Sequence, residues 1–455
     1  MQVFNRQVSF RGLAVFGFET MLIAASILIA ASFMSTRPVG FDLIWKIALA
    51  TSLYELCFYY NDLYDLTLVD SRGELFIRIL QAAGAGAIVL SILSLVVPSL
   101  MIGPGIFLTS LALTLVAVPA WRWMFNGVTR DAHLEERVLI LGSGPTARTV
   151  AQLIRTRREF AYRLVGFITD DSSSLSVRSH DVLGGFDALG ALVEHRRIDR
   201  IVVSLADRRG RLPIKDLLAA KMSGVRVEDA TTTYERLTGK ILIDDLKPSW
   251  LVFSDGFRVG RATRAFKRTL DLALAIIGLI LAAPLMVLTA LAIRLESPGP
   301  ILYWQERVGQ HGRIFTLCKF RSMRTDAEHG TPVWATARDN RVTRVGRFIR
   351  LTRLDELPQL WSVLRGDMSF VGPRPERPYF VEQLAAAIPF YLERHVVKPG
   401  LTGWAQVKYQ YGSSVEDAME KLRYDLYYIK HMSLIFDLTI ALDTVKVIVS
   451  AKGAK

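Results

Sequence analysis

The chain of 455 residues has only two cysteines, Cys57 and Cys318. Neither a disulfide framework nor a zinc-ligand spacing can be built from them, which suits a reducing compartment. Its seven histidines are scattered and read as structural or surface residues. Internal repeats and low-complexity tracts are lacking, so repeat architectures are excluded. No cleavable signal peptide stands out: the first apolar run is too long for one, and further runs follow it. Acidic charge is the minority, with 43 Asp and Glu against 56 Lys and Arg, for a formal net charge of +13.

Apolar residues, by contrast, are plentiful. They make up 51% of the chain, and the mean hydropathy of +0.28 is high for a wholly soluble protein. The positive charge is concentrated late: positions 257–455 carry 29 Lys and Arg against 18 Asp and Glu. A greasy and basic chain suits an anionic membrane surface or phosphate-bearing substrates. Nucleic acid as a partner fits poorly with long apolar spans.

Four apolar segments come first, at about 13–34, 41–60, 75–97 and 102–123. Each approaches the roughly 20 residues that a spanning helix needs, although Glu19, Lys46, Glu55 and Arg78 intrude. Arg6 and Arg11 precede the first span, and Arg130 and Arg137 follow the fourth. The positive-inside rule therefore puts both flanks in the cytoplasm. From about 136 to 257 the pattern becomes alternating strand and helix. Arg137–Leu141, Leu164–Thr169 and Arg200–Ser204 read as strands, and the Gly142-Ser-Gly-Pro-Thr-Ala147 turn opens a helix. This predicts a small Rossmann-like βαβ domain of the CoA- or nucleotide-binding kind. The turn is able to seat a pyrophosphate, with Asp170 or Asp171 toward a ribose. A structural or regulatory domain is nevertheless the favoured reading, ahead of a working nucleotide site. The expected division is thus 1–130, a four-helix transmembrane bundle; 131–257, the Rossmann-like domain; and 258–455, a mostly helical domain.

The third region opens with Arg261, Arg264, Lys267 and Arg268, then an apolar stretch over 270–295 that contains Pro284. Proline lacks an amide proton and crowds the preceding turn, so the helix is expected to bend or break there. A full crossing would also export the most positive part of the chain. The expectation is a re-entrant helix over 268–295 that breaks at Ala283-Pro284, with Asp271 pairing Lys267 or Arg268. A kinked spanning helix is the alternative.

Chemistry concentrates between Lys319 and Trp404. Lys319-Phe-Arg-Ser-Met-Arg324 gathers cations, and Arg350-Leu-Thr-Arg-Leu-Asp-Glu-Leu-Pro-Gln-Leu360 sets Asp355 and Glu356 among arginines. Pro358 is tolerated in a first helical turn, so a helix is expected to begin near Leu354–Leu357. Both carboxylates then lie at a helix N-terminus, which suits phosphate and a carboxylate nucleophile. Charge attraction is expected to keep Asp355 ionised. Arg374, between Pro373 and Pro375, suits bidentate phosphate contact. Lys398-Pro-Gly-Leu-Thr-Gly offers a lysine and backbone amides. A helix with a Ser-x-x-Asp start is expected from Ser414, and Leu434–Ser450 reads as a helix on the bilayer surface or in the core.

At these residues the chain resembles the bacterial monotopic phosphoglycosyl transferase superfamily. The matching motifs are Lys267-Arg-Thr-Leu-Asp271, Lys319-Phe-Arg-Ser-Met323, Leu354-Asp-Glu-Leu-Pro-Gln-Leu360, Gly366–Pro375 and Lys398–Val407. The preceding spans and βαβ domain look like its large, membrane-extended members, which initiate exopolysaccharide or O-antigen assembly. The resemblance implies that Asp355 attacks the sugar-bearing phosphorus of a UDP-sugar, releasing UMP. A polyprenyl (undecaprenyl) phosphate then takes the phosphosugar. It implies Mg²⁺ near Asp355 or Glu356, and Lys319, Arg350 and Arg374 as phosphate-binding residues; Lys398 is read from its own loop as a contact to phosphate or uridine. It also implies the bacterial inner membrane with the site on its cytoplasmic face, a homodimer, and other polysaccharide-assembly enzymes as partners. The chain departs from the family at Ala283, where a serine often precedes the proline; a hydroxyl that helps satisfy the freed backbone is missing. The rival classes are a membrane-anchored nucleotide-sugar dehydratase or epimerase, for which no Tyr-x-x-x-Lys pair is present, and a non-enzymatic scaffold of polysaccharide assembly.

Overall fold

A computed structural model describes residues 2–3, 6–7, 10–34, 41–64, 72–130, 135–157, 160–170, 181–205, 212–243, 256–257, 260–325, 341–409, 412 and 414–449. The chain forms two compact units, divided between Thr233 and Tyr234 apart from a short N-terminal exchange.

The first unit begins with four helices, α1 (Phe10–Met34), α2 (Phe41–Tyr60), α3 (Arg72–Val96) and α4 (Pro104–Arg130). α1, α3 and α4 contain segments long and apolar enough to cross a membrane, whereas α2 is not among the candidates. Its charges explain this, since Asp42, Lys46 and Glu55 interrupt it. The polar intruders are satisfied within the unit. Arg122 binds Glu19 and donates to the Leu63 carbonyl at 2.6 Å. Lys46 pairs with Asp42 at 2.8 Å, and Arg78 with Glu74 at 2.7 Å. Thr20 donates to Glu55 at 2.9 Å, and Tyr64 donates to the same carboxylate. Buried charge of this kind is tolerated among apolar helices only when paired. Large apolar side chains such as Phe33 and Leu95 face outward.

A five-stranded parallel sheet follows: β1 (Glu136–Leu141), β2 (Tyr162–Ile168), β3 (Val182–Gly184), β4 (Arg200–Val203) and β5 (Arg226–Asp229). Its order is β3-β2-β1-β4-β5, with Leu141 level with Ile168 on one side and Val203 on the other. This is the doubly wound pattern expected of strands that read as apolar runs. Gly142 ends β1 at φ +112°, and a Cβ there would stand 2.3 Å from the Ser204 carbonyl oxygen, so only glycine fits. Helix α5 (Pro145–Thr156) starts just after it. Asp170 accepts from the Phe186 amide at 2.7 Å and so fastens the chain locally; Asp171 lies outside the described residues.

The second unit is built along one long helix, α6 (Arg261–Glu296). It is continuous through Ala283 and Pro284, both exposed, so the expected break is absent. Proline forfeits one backbone hydrogen bond, but both flanks of the helix are packed: Ala275 and Ile293 are buried in separate clusters. Fixing the two flanks preserves the helix across the fault. Asp271 also differs from expectation. It accepts from Ser369 Oγ at 2.8 Å and the Phe370 amide at 3.0 Å, whereas Lys267 pairs with Asp437 at 2.6 Å. Arg268 donates to the Val363 and Leu364 carbonyls.

An antiparallel hairpin joins β6 (Leu302–Val308) to β7 (Ile314–Phe320), with Tyr303 opposite Lys319. Helix α7 (Arg344–Leu351) is followed by a 3₁₀ turn, Leu354–Gln359, and helix α8 (Leu360–Arg365). A parallel pair, β8 (Ser369–Val371) and β9 (Gly400–Thr402), lies beyond. A Cβ on Gly372 would meet the Lys398 carbonyl oxygen at 2.4 Å, which explains glycine at this close approach. Helix α9 (Val415–Lys430) opens with the reciprocal Ser414–Asp417 cap, as its sequence foretells. Helix α10 (Leu434–Val449) buries Phe436 and Ile440 in the core with Trp404, Tyr427 and Tyr428, and exposes Leu438 and Val445.

Candidate active site

α6 braces the acidic turn from both sides. Toward its N-terminus, Arg268 caps the carbonyls that end α8. At its C-terminus, Glu296 accepts from the Arg344 and Val345 amides that begin α7, at 2.7 and 3.1 Å. Arg321 ties the strand end to the Ser297 and Pro298 carbonyls, each at 2.9 Å. The 3₁₀ turn with Asp355 and Glu356 lies between α7 and α8, so its position is fixed by the helix beneath. Arg353 enters the turn at φ 59°, a left-handed conformation that redirects the chain. The expected helix start is present, tightened into a 3₁₀ turn ahead of α8.

Cations converge on Glu356. Arg374 donates to it at 2.6 Å, Lys319 lies at 3.7 Å and Arg353 at 3.8 Å. Burial alone would raise its carboxyl, but Arg374 and Lys319 hold it well below the usual carboxylate range. Lys319 is pushed down to about 8, by burial first and then by the neighbouring Arg374 and Arg307 charges; Glu356 opposes this. Asp355 is 8% exposed, and its carboxylate takes no hydrogen bond or ion pair from the described residues. Burial and the adjacent Glu356 raise its carboxyl, against the pull of Lys319, Arg350 and Arg374. Burial, more than charge attraction, therefore sets the direction at Asp355. Gln359, buried in the same turn, has an amide nitrogen with no partner among the described residues.

The structure thus brings together Asp355, Glu356, Lys319, Arg350 and Arg374. Lys398 belongs elsewhere: it lines a separate cavity with Lys267 and Arg268. Two further arginines support the site. Arg394 donates to the Arg374 carbonyl at 3.0 Å and pairs with buried Asp425 at 2.7 Å. Arg307 donates to the Pro375 carbonyl at 2.9 Å. Together they pin the backbone that aims Arg374. Neither is in a motif, and their bonds go to backbone carbonyls distant in sequence, so no local signal marks them. His395 is held down to about 4 by burial and by Arg394, consistent with a structural histidine.

A buried carboxylate without an internal partner stands beside a second carboxylate ringed by cations, on a domain with a long exposed apolar helix, and this is the candidate active site of a membrane protein. Residues 262–451 match the bacterial sugar transferase family, and residues 60–220 match a CoA-binding domain. The UDP-glucose:undecaprenyl-phosphate glucose-1-phosphate transferase of Xanthomonas campestris pv. campestris is 30% identical over 361 residues, covering 75% of this chain and 73% of that protein. The UDP-N-acetylgalactosamine-undecaprenyl-phosphate N-acetylgalactosaminephosphotransferase of Aeromonas hydrophila is 46% identical over 222 residues, 49% of this chain. The chain spans 52% of that relative's length. A putative undecaprenyl-phosphate N-acetylgalactosaminyl 1-phosphate transferase of Bacillus subtilis is 54% identical over 130 residues, 29% of this chain and 73% of that protein. The chain belongs to the bacterial sugar transferase family, within the phosphoglycosyl transferase superfamily.

Proposed function

We propose that the protein moves a sugar-1-phosphate from a UDP-sugar to polyprenyl phosphate through a phosphosugar carried on Asp355. In the first step an Asp355 carboxylate oxygen bonds to the sugar-bearing phosphorus. The bond from that phosphorus to the bridging oxygen breaks, and UMP leaves with the electron pair. In the second step a phosphate oxygen of the polyprenyl phosphate attacks the same phosphorus. The acyl-phosphate bond breaks, Asp355 regains its charge, and a polyprenyl diphosphate sugar departs. The observation that carries this reading is the contrast within the dyad: Glu356 is committed to Arg374, while Asp355 is left without an internal partner. Raising a carboxyl by burial makes it a better nucleophile than one paired to a guanidinium. Glu356 in this reading holds Arg374 and Lys319 in place, and Lys319, Arg350 and Arg374 face the phosphates.

The hard oxygen donors of Asp355 suit Mg²⁺, and Glu356 is the second candidate ligand. No group of three or more metal-ligating side chains occurs among the described residues, so most of the ion's ligands would be pyrophosphate oxygens and water. When bound, the ion neutralises charge on the pyrophosphate.

α6 supports a re-entrant placement. Both of its ends are bonded to elements of the same unit, through Arg268 and Glu296. Ile276, Ile277, Ile280, Leu281, Leu288 and Leu291 are exposed along it. An apolar face open to lipid, on an unbroken helix whose two flanks are fastened to one body, fits a helix sunk into one leaflet without crossing the other. Positive charge near α6 favours the cytoplasmic face of the inner membrane. The same reading divides the chain at 1–130, 131–257 and 258–455. Its products would begin exopolysaccharide or O-antigen repeat units, with a homodimer and other assembly enzymes as partners.

The test uses the full chain in detergent with polyprenyl phosphate, Mg²⁺ and a panel including UDP-glucose and UDP-N-acetylgalactosamine, the donors in relatives' names. UMP release should appear with one donor. Asp355→Asn should lower turnover at least about 10³-fold and leave no phosphosugar on the protein. Full turnover in that variant, or trapped phosphosugar on another side chain, would refute the mechanism.

A further inference from the structure

A cavity of about 830 Å³ opens at the N-terminal end of α6 in the same unit. Arg261, Arg264, Lys267, Arg268 and Lys398 line it, against one carboxylate, Asp271. Internal bonds account for three of these six groups. Asp271 is occupied by Ser369 and the Phe370 amide. Lys267 is paired with Asp437, and Arg268 caps the end of α8. Arg261, Arg264 and Lys398 make no side-chain hydrogen bond or ion pair with the described residues. Lys398 is partly buried, and its ammonium is held below its usual value by burial and by nearby Arg268. Three uncommitted cations around one concavity form an anion site rather than a set of internal salt bridges.

Val371, Val396, Val397, Ile429 and Met432 give the lining an apolar wall, beside the polar side chains of Gln310, His311, Ser369 and Tyr428. A free anion has no use for such walls. On α6 itself, Arg261 and Arg264 give way to exposed Phe266, Leu270 and Leu274 within about three turns. That succession is the signature of a headgroup boundary, with cations at the phosphates and apolar side chains in the acyl region. We propose that this cavity binds a lipid-borne phosphate, with Arg261, Arg264 and Lys398 on the phosphate and the valine-rich wall on the hydrocarbon, at a site distinct from the Asp355 centre. The inference leans on the membrane placement of α6 and is independent of the chemistry at Asp355.

The experiment is native mass spectrometry of the full chain in detergent. The probes are dioctanoyl phosphatidylglycerol, dioctanoylglycerol with the same tails but no phosphate, and inorganic phosphate. Wild type and Asp355→Asn should retain phosphatidylglycerol equally and leave dioctanoylglycerol unbound. The Arg264→Gln/Lys398→Gln pair should bind it at least about tenfold more weakly, each lost charge-assisted bond contributing. Arg264→Gln alone, at an exposed position, should show part of the loss, and Lys398→Arg should restore binding. Farnesyl phosphate then separates the two sources: its displacing the phospholipid assigns the site to the acceptor, and its failing to do so assigns it to bulk anionic lipid. Undiminished retention by the double variant, equal binding of dioctanoylglycerol, or inorganic phosphate binding as tightly as the lipid would each overturn the proposal. Loss of binding in Asp355→Asn alone would overturn its separateness.

Discussion

At the scale of single residues, the two acids of the turn face opposite circumstances although they are adjacent in sequence. Arg374, Lys319 and Arg353 surround Glu356, while Asp355 is pushed up by burial and by Glu356 itself. The pH profile of turnover should therefore have two limbs. Activity rises with pH as Asp355 loses its proton, and falls again near pH 8 as Lys319 loses its charge. Lys319→Arg should move the alkaline limb upward by more than about one pH unit, because a guanidinium stays protonated. Glu356→Gln should shift both limbs to lower pH. Asp355 loses the neighbour that raises it, and Lys319 loses the carboxylate that supports its charge. Initial-rate profiles of kcat with each variant decide both points; an unmoved alkaline limb in Lys319→Arg would exclude Lys319 as its source. The residues of this centre were largely legible because Asp355, Glu356, Lys319, Arg350 and Arg374 stand in dense local motifs. What the motifs could not convey was sign and place. Burial outweighs attraction at Asp355, and Lys398 lines a cavity apart from the dyad, because both depend on long-range packing.

At the scale of elements, strand and helix periodicity forecast a parallel sheet, with three of its five strands, and the capped helix from Ser414 to within a few residues. Pro284 misled, because proline's local cost of about 3 kcal/mol is set against two packed flanks that a linear sequence does not display. Cysteines placed one at a time at Ala262 and Pro298, near the two ends of α6, should label from the same side of right-side-out or inverted vesicles if the helix is re-entrant; opposite labelling would favour a crossing. Support of the Arg374 loop is likewise an element-scale property. Arg394 is 6% exposed and bonded to Asp425, itself 1% exposed. Removing one member of such a buried pair costs about 3–5 kcal/mol, so Arg394→Met should lower the melting temperature in detergent sharply. Arg394→Lys, which keeps the charge but not the fork to Asp425 and the Arg374 carbonyl, should retain more stability and still lose turnover.

At the scale of the whole molecule, the candidate site and the bundle belong to different compact units. Every residue assigned to the centre, and every residue that braces it, falls within the second unit: α6 beneath, Arg394 and Arg307 behind Arg374, and α7 and α8 on either side of the acidic turn. Sequence texture led to an expected division into bundle, sheet and basic region, but could not show that the bracing of the dyad closes within one unit, because bonds such as Arg268 to Leu364 span 96 positions. A chain beginning near Tyr234 should therefore insert into membranes and release UMP from the donor at a kcat within about tenfold of the full chain, a difference of about 1.4 kcal/mol in activation free energy. Folded, membrane-bound protein of this kind with no UMP release would mean that the first unit takes part in the chemistry. Retained release with a raised requirement for polyprenyl phosphate would instead assign the bundle to delivery of the lipid.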